Sequence, residues 1–86
     1  MNKTIYLDSA ASTQIDSRVK QDIIDSMDND WMNPSSIYEG GREVRRKIEY
    51  ARNQVRELIG AKEEDRIIFT SCSTESNNLA VQGFIK

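Results

Sequence analysis

The sequence predicts a helix-dominated α/β fold. It holds two or three amphipathic helices and one or two short strands, within a single domain over residues 1–86. Three observations carry this. Apolar residues recur at helical spacing over two long segments, one after Asp16 and one after Ser36. Two short apolar runs, Ile5-Tyr6-Leu7 and Ile67-Ile68-Phe69, are rich in the branched and aromatic residues that suit strands. A turn of small and hydroxyl-bearing residues joins the second run to a further helical segment.

Taken in order, Thr4 to Leu7 reads as a short strand closed by Asp8. The small residues Ser9 to Thr13 then form a loop, either packed close to a neighbour or lining a ligand site. Asp16 suits an N-cap, its carboxylate accepting from the N–H groups two and three residues on. Val19, Ile23, Ile24 and Met27 give the stripe of the helix it opens, and Asp28-Asn29-Asp30 ends it. Trp31 follows in a loop, as a hydrophobic lid or anchor. Pro34 biases Asn33 away from helix.

Ser36 and Glu39 have the spacing of a capping box, which places the next helix at about Ser36 to Ile59. Gly40-Gly41 weakens its first turns by roughly 1 kcal/mol each relative to alanine. Its stripe is Val44, Ile48, Ala51, Val55, Leu58 and Ile59. The charged residues opposite, among them Arg45, Arg46, Lys47, Arg52 and Arg56, read as a solvated face because acids interleave them. Gly60 stands where a C′ glycine ends a helix.

The stretch from Arg66 to Ala80 organises the rest. Ile67 to Phe69 reads as a buried strand, Thr70 to Thr74 as a tight polar turn, and the segment from Glu75 as a helix with Leu79, Ala80 and Phe84 near one face. The first N–H groups of a helix lack internal partners and its dipole favours negative charge. Ser71, Ser73 and Thr74 add hydroxyls. This is a phosphate cradle in outline, and equally the pattern of an ordinary helix cap. Cys72 reads as a small buried filler, beside a helix N-terminus able to lower its pKa.

Composition narrows the function classes. Charged residues make up 30% of the chain and the formal net charge is −2, with 12 basic residues against 14 acidic. That balance argues against a nucleic-acid partner. No apolar run reaches the roughly 18 residues of a membrane helix. Met1 to Thr4 leads into Ile5-Tyr6-Leu7-Asp8, without the apolar core of a signal peptide. A lone cysteine suits a reducing, cytoplasmic setting. With no histidine, chemistry must come from a cofactor, a carboxylate, a lysine or Cys72.

Several of these stretches together resemble the start of a cysteine desulfurase of the class V aminotransferase group, enzymes of pyridoxal-phosphate (PLP) fold type I. They are Ile5 to Thr13, Asn33-Pro34-Ser35-Ser36, Gly41-Arg42-Glu43 with Ala51-Arg52, and Ile67 to Ala80. The resemblance implies that Ser73 and Thr74 contact the cofactor phosphate, Thr74 being the better match. Cys72 stands beside them where the family has glycine, Ser73 where it has alanine, and Tyr38 where it usually has histidine. Glycine would allow closer backbone approach than Cys72. None of Lys3, Lys20, Lys47, Lys62 and Lys86 lies in a context like the family's Ser-x-His-Lys, and Cys72 does not match its nucleophilic cysteine.

These departures and the chain's length lead to an expected N-terminal piece of such an enzyme, without activity and without stable PLP binding on its own. A phosphate-bearing small molecule is an expected weak ligand. The exposed stripes predict a homo-oligomer, and a non-catalytic helical module that self-associates or binds a partner is the alternative function.

Overall fold

The computed structural model describes residues 3–85. Met1, Asn2 and Lys86, part of the expected domain, lie outside the described residues. Among the described residues three helices follow one another: α1 (Ser17–Asn29), α2 (Glu39–Leu58) and α3 (Ser73–Phe84). The chain divides into two compact units that meet between Arg45 and Arg46, within α2.

In the first unit, the Tyr6 hydroxyl ties a small loop, lying 2.8 Å from Asp8 O and 2.9 Å from Ser12 O. Ala11 N–H donates to Asp8 O across the same turn. Asp16 caps α1 as expected, its carboxylate accepting from Arg18 N at 2.8 Å. The Arg18 guanidinium grips the same carboxylate through Nε and Nη2, each at 3.0 Å. That side-chain contact, aided by the Arg18 N–H, holds Asp16 below the usual carboxylate range and Arg18 above its own. The stripe of α1 forms, and Val19, Ile23 and Met27 line an open groove with Trp31. No residue of α1 is buried.

Helix α2 starts at Glu39, three residues later than Ser36, so Ser36 is not the residue next to its first turn as the capping-box spacing had it. A tight turn occupies the intervening chain. Asn33 Oδ1 accepts from Ser35 N at 2.8 Å, and Asn33 O accepts from Ser36 N at 3.0 Å. The Asn33 turn thus satisfies these groups before the helix begins. Gly41 is buried where this turn meets α2: a Cβ there would lie 2.5 Å from Asn33 O and 2.9 Å from the Ser36 Cβ. Val44, on the same helix, is the one buried hydrophobic side chain among the described residues.

In the second unit, α2 ends as the sequence predicts. Gly60 adopts φ +68°, Ala61 N–H donates to Arg56 O and Gly60 N–H to Glu57 O. This is the paired pattern of a Schellman cap. Ile48 and Val55 are half-buried, while Leu58 and Ile59 are exposed. The Lys62–Asp65 connector closes on itself, with Lys62 N donating to the Asp65 carboxylate at 2.8 Å.

The strands are the main correction to the sequence reading. Among the described residues neither Ile5–Leu7 nor Ile67–Phe69 forms a strand. A strand exists by pairing its backbone N–H and C=O groups with a neighbour, and these runs have no ladder partner here. Ile67 is only half-buried, and Ile68 and Phe69 are exposed. The architecture of the described residues is therefore helical. The face of α3 holding Leu79 and Phe84 is likewise exposed.

Candidate anion site at the start of helix α3

The site is built from residues 70–76. Helix α3 begins at Ser73, two residues before the expected Glu75, and Cys72 is its N-cap. The first bond closing the helix runs from Ser76 N to Cys72 O at 3.1 Å. The N–H groups of Ser73 and Thr74 therefore precede the hydrogen-bonded ladder, as the opening groups of any helix do. Cys72, Ser73 and Thr74 are all exposed.

Two hydrogen-bonded ties fix the turn. Thr70 Oγ1 lies 3.1 Å from Cys72 O and 2.5 Å from Ser76 Oγ. A hydroxyl has one proton, so Thr70 donates to the carbonyl and accepts from Ser76. On the other side, Ser71 Oγ donates to the Glu75 carboxylate at 2.5 Å, and Ser71 N approaches the same oxygen at 3.4 Å. The N3 carboxylate thus reaches back one residue further than in a capping box, to the position before the N-cap.

Cys72 is exposed, which corrects its reading as a buried filler. Its backbone is extended (φ −170°, ψ 172°), a conformation open to any residue, so the family's glycine is not required here by backbone strain. No side-chain cap bond of ordinary geometry forms to the sulfur. Its pKa is nonetheless held below the usual thiol value. The leading cause is the Glu75 N–H, followed by the Ser71 hydroxyl and then by Thr74. Ser71 Oγ is 3.8 Å from the sulfur. Its proton goes to the Glu75 carboxylate, a stronger acceptor, which leaves the helix N–H as the dominant influence on the thiolate.

The donor set suits the phosphate end of a cofactor: helix N–H groups, two hydroxyls and a favourable dipole. Glu75 contributes negative charge to the same turn, and Ser71 holds that charge in place.

Sequence reasoning missed two arginines that hold the segment leading into the turn. Arg52 and Arg56, assigned to a solvated face, are half-buried. Arg52 Nη1 donates to Ile67 O, and its guanidinium carbon lies 5.1 Å from the centre of the Phe69 ring. Arg56 Nη2 donates to Asp65 O at 3.1 Å, while Arg56 Nε is buried without a partner. The available signal was their spacing of four, which puts two forked donors on one side of α2.

Comparison with known proteins covers nearly the whole chain. The family model "Aminotransferase class-V" matches residues 5–86. A cysteine desulfurase IscS of Dictyoglomus turgidum is 46% identical over 83 residues, 96% of this chain and 21% of that protein. A selenocysteine lyase of Rattus norvegicus is 40% identical over 85 residues, 99% of this chain and 19% of that protein. The cysteine desulfurase NifS of Azotobacter vinelandii is 35% identical over 82 residues, 95% of this chain and 20% of that protein. The chain thus spans about a fifth of the length of these relatives. No solved structure matches. With its 5–86 match and these relatives along nearly its whole length, the chain belongs to the class-V aminotransferase family.

Proposed function

We propose that residues 1–86 are the N-terminal, phosphate-holding part of a PLP-dependent cysteine desulfurase of fold type I. The observation that carries this is the exposed start of α3, where Ser73 and Thr74 bring hydroxyls and opening N–H groups together. In this reading Ser73 and Thr74 hold the cofactor phosphate and Cys72 flanks it. PLP, when bound, supplies an electron sink for carbanion chemistry on an amino-acid substrate. The relatives' names support a substrate carrying sulfur or selenium on its β-carbon, L-cysteine first. Sulfur transfer would leave L-alanine. The working enzyme is a homo-oligomer in the reducing cytoplasm.

The 86 residues alone contain no histidine and no Ser-x-His-Lys sequence, and their one cysteine sits in the phosphate turn. They are expected to release neither sulfide nor alanine from L-cysteine with PLP present. Without covalent attachment or ring stacking, phosphate binding rests on dipole terms of about 0.3–1 kcal/mol each. Charge-assisted hydrogen bonds add roughly 1.5–3 kcal/mol each. After the cost of association, the balance corresponds to a Kd of about 1 mM.

Titration with inorganic phosphate, followed by backbone amide shifts, tests the reading. Saturable shifts at Ser73 and Thr74 are expected. Amides of Cys72 to Glu75 that stay still while others move would reduce the turn to a helix cap.

A further inference from the structure

Arg52 and Arg56 stand four residues apart on α2, a rise of about 6 Å. The carbonyls they bind, Ile67 and Asp65, stand two residues apart in the opposite direction. The pairing of Arg52 with Ile67 and Arg56 with Asp65 therefore runs antiparallel to the helix. The two arginine side chains satisfy backbone carbonyls of the segment that leads to the α3 turn. Arg52 is the fuller of the two points. Glu49 fixes its Nε at 3.2 Å, Ile67 O takes Nη1, and the Phe69 ring lies against the cation.

Phe69 immediately precedes Thr70, whose hydroxyl receives from Ser76 and binds Cys72 O. A continuous path of contacts therefore runs from α2 through Arg52 to the opening turn of α3. We propose that Arg52 is a positioning residue, with Arg56 as the second point of the clamp, that sets the geometry of the Cys72–Glu75 turn. Its relevance to phosphate binding rests on the function proposed above; its effect on the turn itself does not.

The test uses the 86-residue chain, its Arg52→Gln, Arg52→Lys and Arg56→Gln variants, and two readouts. One is inorganic phosphate titration followed at the Ser73 and Thr74 amides. The other is the pH profile of Cys72 alkylation by iodoacetamide, which reports the Glu75 N–H near the sulfur without any anion. Arg52→Gln should weaken phosphate roughly three- to tenfold, the loss expected when a preorganised site loosens. It should also move the alkylation midpoint up toward the ordinary thiol value, with far-UV helicity unchanged. Arg52→Lys, which keeps a cation and a donor, should recover part of both.

Wild-type values for both readouts in a helical Arg52→Gln chain would overturn the proposal. If the wild-type chain binds no phosphate, the anion reading fails and the alkylation profile alone decides: a raised midpoint in Arg52→Gln upholds the clamp, an unchanged one overturns it. If Arg52→Gln loses helicity, Arg52→Lys and Arg56→Gln decide by the same readouts, a shift in either upholding the clamp and unchanged values overturning it.

Discussion

Ser71 Oγ donates to Glu75 Oε2 at 2.5 Å, so the carboxylate at the start of α3 is held by the residue just before the N-cap. The tie draws the side chain to the end of the helix where negative charge is favoured. It also places the chain's own anion in the turn that an external phosphate would enter. Helix capping by Glu75 and the proposed phosphate binding would therefore compete at this turn.

Glu75→Gln separates the two. The amide oxygen still accepts from Ser71, but the charge is gone. Phosphate should bind about two- to fivefold more tightly, from roughly 0.3–1 kcal/mol of relieved repulsion. The amide shifts of Ser73 and Thr74 measure this. An unchanged or weaker Kd would mean that the carboxylate does not oppose the bound anion.

Thr74→Ala and Cys72→Gly probe the donors and the space. Removing the Thr74 hydroxyl should weaken phosphate roughly three- to tenfold, as for one lost hydrogen bond. Cys72 is exposed, and its sulfur lies near the Glu75 N–H, one of the opening donors of the helix. Cys72→Gly should free that donor and tighten phosphate about two- to fivefold, roughly 0.5–1 kcal/mol. An unchanged Kd in the same titration would show that the thiol leaves the site open.

The Cys72 pKa gives a pH dependence of defined sign. The Glu75 N–H favours the thiolate, so the folded value lies below the unfolded one. The contribution to stability is complete above the unfolded thiol value and is lost as pH falls through the folded value. Alkylation rates against pH should give a lower midpoint for the folded chain than for the chain in urea. Coincident midpoints would contradict the assignment.

Asp16 works by the same rule at lower pH. The Arg18 side chain, then its N–H, lowers the folded pKa. The stabilisation is present above the unfolded carboxylate value and lost as pH falls through the folded one. Acidification should therefore reduce α1 helicity in the wild type. Asp16→Asn should keep an N-cap acceptor but remove this pH dependence, and Asp16→Ala should lose both. Circular dichroism against pH, with a protected Asn variant as the reference, checks it.

Local signals were legible where one residue determines the geometry. Asp16 capped its helix, Gly60 ended α2 and the Val19 stripe was helical. The strands were not, because Ile67-Ile68-Phe69 specifies a preference and a strand needs a partner. The start of α2 was misplaced because Ser36 has capping-box spacing while Asn33 captures the nearby backbone first. The sequence puts residues 73 and 74 in a polar turn before Glu75, and the helix takes them in as its first residues. The contacts of Arg52 and Arg56 were invisible to helical periodicity, since Arg52 meets Ile67 fifteen residues away.

Gly40 and Gly41 make the sharpest structural test, because helix propensity treats them alike. Replacing either with alanine gains up to about 1 kcal/mol of intrinsic helix preference. Their surroundings differ. At Gly40 the added Cβ meets the thioether end of Met32, 1.9 Å from its sulfur, and a flexible side chain can move aside. At Gly41 it meets a backbone oxygen, Asn33 O, at 2.5 Å and the Ser36 Cβ at 2.9 Å, in a turn fixed by its own hydrogen bonds. Overpacking there costs typically 1–3 kcal/mol, which matches or exceeds the propensity gain. Gly41→Ala should therefore destabilise the chain by up to about 2 kcal/mol net. Gly40→Ala should be neutral or stabilising by up to about 1 kcal/mol. Urea unfolding of the pair measures both, and equal midpoints would mean that the Asn33–Ser36 turn yields as readily as the Met32 side chain.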